Sequence, residues 1–199
     1  MRATLEWQGT RPAIPGGVSA RPFKYRSIQS PISTLDFARF TNVFGGLIMI
    51  YVLVLLIGIV AGLRAATPIA AISLGAYLGW LDFTGTWYSF LGSLPAVIIL
   101  VLLAILELVG DQLPSTPSRK VPMQFGGRVV MGAIAGALLF PANWIIGLII
   151  GAVGAVLGTL GGAEVRSMLA KAFGRDLPAG LVEDVVAVVA ALLIVYYVV

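Results

Sequence analysis

The chain is 199 residues long, 59% hydrophobic and only 11% charged, with a formal net charge of +4 and neither cysteine nor histidine. Soluble domains carry roughly 25% charged residues, and a core of this size cannot hide so many apolar side chains, so the composition excludes a soluble globular fold and points to an integral membrane protein. The missing thiols and imidazoles remove disulfides, thiolate nucleophiles, His-ligated zinc or haem and the usual neutral-pH proton shuttle. Carboxylates, arginines, lysines, hydroxyls and backbone are left for any chemistry, and no cofactor or metal is implied. The basic balance points to anionic lipid headgroups and not to nucleic acid, because the basic residues lie in an N-terminal tail and in short loops beside apolar runs.

Residues 1–40 hold WQGTRPAIPGGVSARPFKYRSIQSP, rich in Pro, Gly and Arg and without the apolar core of a cleavable signal peptide; an irregular basic tail is expected. Its last part, STLDFARF, sets Leu35, Phe37 and Phe40 beside Asp36 and Arg39, the pattern of a short interfacial helix capped by Ser33 or Thr34. Residues 41–199 form the transmembrane helical domain. A first span covers about Val43 to Leu63. The next segment, Thr67 to Leu81, opens with Pro68 and reaches only about 22 Å as a helix, which predicts a short or re-entrant element. There follow a span from about Pro95 to Asp111, a proline-rich break in QLPSTPSRKVPM, a short segment from about Phe125 to Phe140 and a span from about Trp144 to Gly161. The polar stretch AEVRSMLAKAFGRDLP and a last span from about Leu181 complete an all-α polytopic membrane bundle of five to six hydrophobic segments.

Charge gives an orientation. If the Thr67–Leu81 segment does not cross, five spans put the tail, the loop with Arg119, Lys120 and Arg128, and the loop with Arg166, Lys171 and Arg175 on one side, leaving Arg64 opposite. The positive-inside rule then favours a multi-pass protein of the cell inner membrane with a cytoplasmic N terminus. Trp80, Trp87, Tyr88, Trp144, Tyr196 and Tyr197 would form the belt at the far interface. Six spans are the alternative, and they part the basic tail from the basic loops.

Few residues are equipped for chemistry. Glu107 and Asp111 stack at i,i+4 spacing near the end of the third segment, where they either bind a cation or pair with Arg119, Lys120 or Arg128. Glu183 and Asp184 open the last span, where carboxylates complement the helix dipole; the stripe Glu183, Ala187, Ala190, Ile194 also allows burial against another helix, with Arg128 or Arg166 as partner. Arg64, in GLRAATP, either receives an anion at the start of the proline-broken segment or snorkels to headgroups. Gly58 and Gly62, Gly132 and Gly136, and Gly147, Gly151, Gly154 and Gly158 repeat the small-xxx-small spacing of closely packed helices, within the Phe125–Gly161 hairpin or across a dimer face. Span, Arg64 and short segment resemble span, Arg166 and following segment, a weak sign of an inverted repeat.

GLRAATP, LELVGDQLPSTPS, GGRVVMGAIAGAL, GTLGGAEVRSMLAKAFG and LVEDVVAVVAALLIV together resemble a bacterial group of small integral membrane proteins classed as domain of unknown function 4126, over about residues 43–199. The resemblance implies a compact bundle and draws attention to Arg64, Glu107, Asp111, Arg128, Arg166, Glu183 and Asp184, but it supplies no substrate. The residues point to a small transporter, channel or lipid-handling bundle, expected to hold a water-accessible cavity lined by an acid and an arginine. The alternative is a structural or accessory subunit of a larger membrane complex, or a homodimer, joined through the glycine faces. An enzyme acting on a lipid phosphate, with Glu107 and Asp111 on magnesium, is disfavoured by the shortage of converging carboxylates.

Overall fold

A computed structural model describes residues 34–112 and 121–198, with side chains from residue 45 onward. The basic tail and the loop carrying Arg119 and Lys120 lie outside these residues. The described residues form six α-helices: α1 (Thr34–Leu63), α2 (Ala66–Tyr77), α3 (Leu94–Gly110), α4 (Pro122–Leu139), α5 (Trp144–Phe173) and α6 (Asp176–Tyr197). Gly45–Leu63, Pro141–Phe173 and Asp176–Tyr197 are long and apolar enough to cross a membrane, and α2 and α3 are shorter apolar helices. The chain folds as a membrane helix bundle. Its outward faces are apolar, with Ile99, Leu102 and Leu106 on α3 and Val185, Val186 and Leu193 on α6 left exposed, as a hydrocarbon solvent permits.

Helix lengths depart from the sequence expectation in informative places. STLDFARF begins no separate helix, since α1 runs unbroken from Thr34 to Leu63. The helix stops at Arg64 because of Pro68: a proline has no N–H to offer the carbonyl four residues back, and its ring clashes there. Helix α5 does not stop near Gly161 but continues through the polar stretch to Phe173, ending at Gly174, which adopts the left-handed φ of 69°. Helix α6 begins at Asp176, so Glu183 and Asp184 sit two turns inside it and do not cap it.

The glycines hold one half of the bundle together. A Cβ at Gly58 or Gly62 would strike the backbone of α5, one at Gly154 or Gly158 the backbone of α1, and Gly136, Gly147 and Gly151 are equally pressed between α4 and α5. Helices α1, α4 and α5 thus approach backbone to backbone, and the small-xxx-small faces serve both the α4–α5 hairpin and α1. The register pairs Gly58 with Gly151 and Gly62 with Ala155 and Thr159, both numbers rising together, so α1 and α5 run parallel. An inverted repeat relating these two helices is therefore ruled out.

The path of α2 overturns the five-span arrangement. Arg64, just before α2, bonds Asp184 of α6, while Trp80, just after α2, stacks on Tyr196 of α6 with ring centroids 5.3 Å apart. Helix α2 is thus parallel to α6 and carries the chain back along the bundle. Arg64 stands at the same end as Asp111, Arg128 and Arg166, not opposite them. Trp80, Trp87, Tyr88, Tyr196 and Tyr197 gather at the other end, from which α1 and α5 start. The core between the ends is built from Val54, Ile57 and Val60 of α1, Ile72 of α2, Leu139 of α4 and Ala187, Ala191 and Val195 of α6.

Candidate functional site

The α1–α2 break would leave carbonyls at the end of α1 and amides at the start of α2 without partners, and lipid offers none. Side chains from elsewhere in the bundle supply them. The Ala65 and Ala66 N–H groups donate to Oε1 and Oε2 of Glu107 at 2.6 and 2.7 Å, so a carboxylate of α3 caps α2, at the positive end of its dipole. Arg128 of α4 donates from Nη1 to the carbonyls of Leu63 and, at 3.2 Å, Gly62. The Thr159 hydroxyl of α5 reaches the same Gly62 carbonyl at 3.3 Å while bonding Ala155 O at 2.8 Å.

Arg64 fills the space between. Its guanidinium is wholly buried and pairs with Asp111 through Nη1 and with Asp184 through Nε at 2.5 Å and through Nη2. Asp111 also accepts from Arg128 Nη2 at 3.1 Å, and Gln112 Nε2 donates to the second oxygen of Asp184 at 2.8 Å. Beside this group Arg166 binds Asp176 at 2.6 and 3.0 Å and faces Glu183 at 3.7 Å. Charge pairs of this kind are tolerated at depth only when every member is matched, which explains the convergence of five elements on one point.

The seven candidate residues thus assemble at one end of the bundle. Arg64, Glu107, Asp111, Arg128 and Asp184 form one network, and Arg166 with Glu183 a neighbouring one joined to it by the adjacent positions 183 and 184. Pairing of the α3 acids with Arg128, and of Glu183 with Arg166, agrees with the sequence reading. Arg64 is buried and does not snorkel to headgroups; the carboxylates it receives are those of Asp111 and Asp184 within the chain. Sequence reasoning missed Gln112, Thr159, Asp176 as the partner of Arg166, and the backbone groups of residues 62, 63, 65 and 66. Pro68 after an arginine was the available signal for the exposed backbone, whereas nothing in GTLGG singled out Thr159.

An open pocket of about 310 Å³ adjoins the network, lined by Ala65, Glu107, Asp111, Gln124, Gly127, Arg128 and Met131. It answers the expectation of a cavity bordered by an acid and an arginine. The side chains of Glu107 and Asp111 keep 16% and 13% of their surface exposed, against 4% for Arg128 and none for Arg64. Carboxylates therefore form the accessible front and guanidinium groups the hidden back.

No curated protein and no solved structure matches this chain. The family model described as domain of unknown function DUF4126 matches residues 41–198, which include every helix that frames the network, and the chain belongs to that family.

Proposed function

We propose that the protein is a small transporter for protons or monovalent cations, in which α3 is the moving element and the charged network its latch. The observation that carries this reading is the attachment of α3. Along its apolar length α3 packs on α2 and on the turn Ser89–Gly92, with no substantial contact to the other helices. Its C-terminal Glu107, Asp111 and Gln112 tie it to the α1–α2 break, to α4 and to α6. A helix with few apolar contacts and a polar clamp at one end is the element that opens at least cost. A broken helix whose exposed ends meet charged side chains is a recurrent arrangement at transport sites. The acids at the pocket front favour a cation over an anion.

The test is flux into proteoliposomes of phosphatidylcholine and phosphatidylglycerol holding a trapped pH-, sodium- or potassium-sensitive dye, matched in turn to an imposed pH, sodium or potassium gradient. At least one gradient is expected to dissipate faster than in empty vesicles, and Asp111→Asn is expected to change that rate. Rates equal to empty vesicles under all three gradients would end the proposal.

A further inference from the structure

A second cavity lies on the other flank of α3, and its chemistry differs from that of the latch pocket. Helices α3 and α6 both rest on α2 without packing appreciably on each other. Between them runs a groove of about 260 Å³, floored by Ala70 and Ala71 and walled by Val101 and Leu108 on one side and Val188 and Leu192 on the other. Each of its three stripes ends in a polar residue at the same end of the bundle. One turn before Ala70 and Ala71 comes Thr67, one turn after Leu108 comes Gln112, and one turn before Val188 comes Asp184.

Two of those residues carry polar atoms with nothing to bond. The Thr67 hydroxyl, in a residue only 5% exposed, has no partner, and Thr67 itself lines the groove. Gln112 gives its Nε2 to Asp184, which leaves its Oε1 buried and unmatched beside Gly180. Leaving a buried polar group unsatisfied costs stability, so such atoms mark a place where a further group belongs. Gln112 Oε1 is an acceptor and the Thr67 hydroxyl can accept, while Asp184 adds negative charge. A group that satisfied both atoms would be a donor, preferably cationic, placed beyond the Thr67 end of the apolar groove.

We infer that this groove is a binding site for one phospholipid with a primary-amine headgroup, phosphatidylethanolamine. An acyl chain lies on Ala70 and Ala71 between α3 and α6, and the ammonium donates to Thr67, Gln112 and Asp184. A choline headgroup has the same charge but no N–H to give, so it leaves both orphaned atoms unmatched. The site does not depend on α3 moving and stands or falls separately from the transport proposal.

The experiment is quantification of lipid retained by the full chain after purification from mixed micelles holding equal amounts of phosphatidylethanolamine and phosphatidylcholine with matched acyl chains. The ethanolamine lipid is expected to be enriched several-fold over the input ratio. Thr67→Val, which keeps the side-chain shape, and Gln112→Leu are each expected to lower the enrichment, and together to bring it to the input ratio. Retention at the input ratio by the wild-type chain overturns the inference, an arm that needs no variant to fold. So does enrichment unchanged in Thr67→Val of wild-type thermal stability, which would assign the preference to lipids elsewhere on the surface. Because no gradient is applied here and the flux vesicles contain no ethanolamine lipid, failure of either proposal leaves the other standing.

Discussion

The two halves of the bundle are built on different principles. In α1, α4 and α5, glycines bring backbones into contact, and no side chain is needed to fill the seam. In α2, α3 and α6 the helices meet through side chains, and ionic and hydrogen bonds do the joining at one end. Close packing has a single good arrangement, whereas a polar clamp can exchange partners with water. The first half is a frame, and the second is attached to it at the charged end, where residues of both halves meet.

Hydrogen exchange in detergent gives the widest expected separation: amides of α1, α4 and α5 exchanging only with global unfolding, those of α3 much sooner. Equal protection across all six helices would erase the distinction between the halves. Next comes Arg64→Met, which leaves Asp111 and Asp184 facing each other with their central cation gone; a loss of about 3–5 kcal/mol is expected in denaturant unfolding. Restoration of part of that stability by a second change, Asp184→Leu, would locate the loss in the unpaired acid.

The frame is probed by Gly158→Leu, whose Cβ would enter the backbone of Ile59, against Gly161→Leu, whose Cβ meets nothing within 4 Å. The first is expected to cost about 1–3 kcal/mol and the second to leave the melting temperature near that of the wild type. Glu107→Gln keeps the shape of the α2 cap while removing its charge, for an expected loss of about 1 kcal/mol. The smallest effect belongs to Asp82, in the exposed turn after α2, where the Thr84 hydroxyl at 2.6 Å and amide at 2.9 Å hold the carboxyl below its usual range. Its contribution is present above the unfolded pKa and disappears as pH falls through the lowered folded value. Asp82→Asn is accordingly expected to remove a slight acid-side slope, below about pH 4, from the stability profile, and with it the small stabilisation that the carboxylate supplies at neutral pH.

Much of the site was legible as a set of residues but not as an arrangement. Each of the seven candidates stood out because a charge beside an apolar run is expensive and must have a reason. Their grouping is not legible at Arg64, because the positive-inside pattern treats every basic residue as seeking one side of a membrane. A buried guanidinium matched by two carboxylates obeys its partners and not the interface. The divided result, with α1 entering at the aromatic end and the Arg166 loop at the other, removes the charge argument for five spans.

Composition by itself determined the membrane bundle, because hydropathy acts on each residue independently of its neighbours in space. The spacing of the glycines likewise determined that some helices would touch by backbone, since a missing Cβ is a local property. Which helices those were, the return of α2 through the bundle and the meeting of Glu107 with the amides of residues 65 and 66 were decided only by tertiary structure. Those outcomes depend on pairings between positions as far apart as 64 and 184, and a buried charge is satisfied by whichever opposite group the fold brings within about 3 Å, a fact no local pattern records.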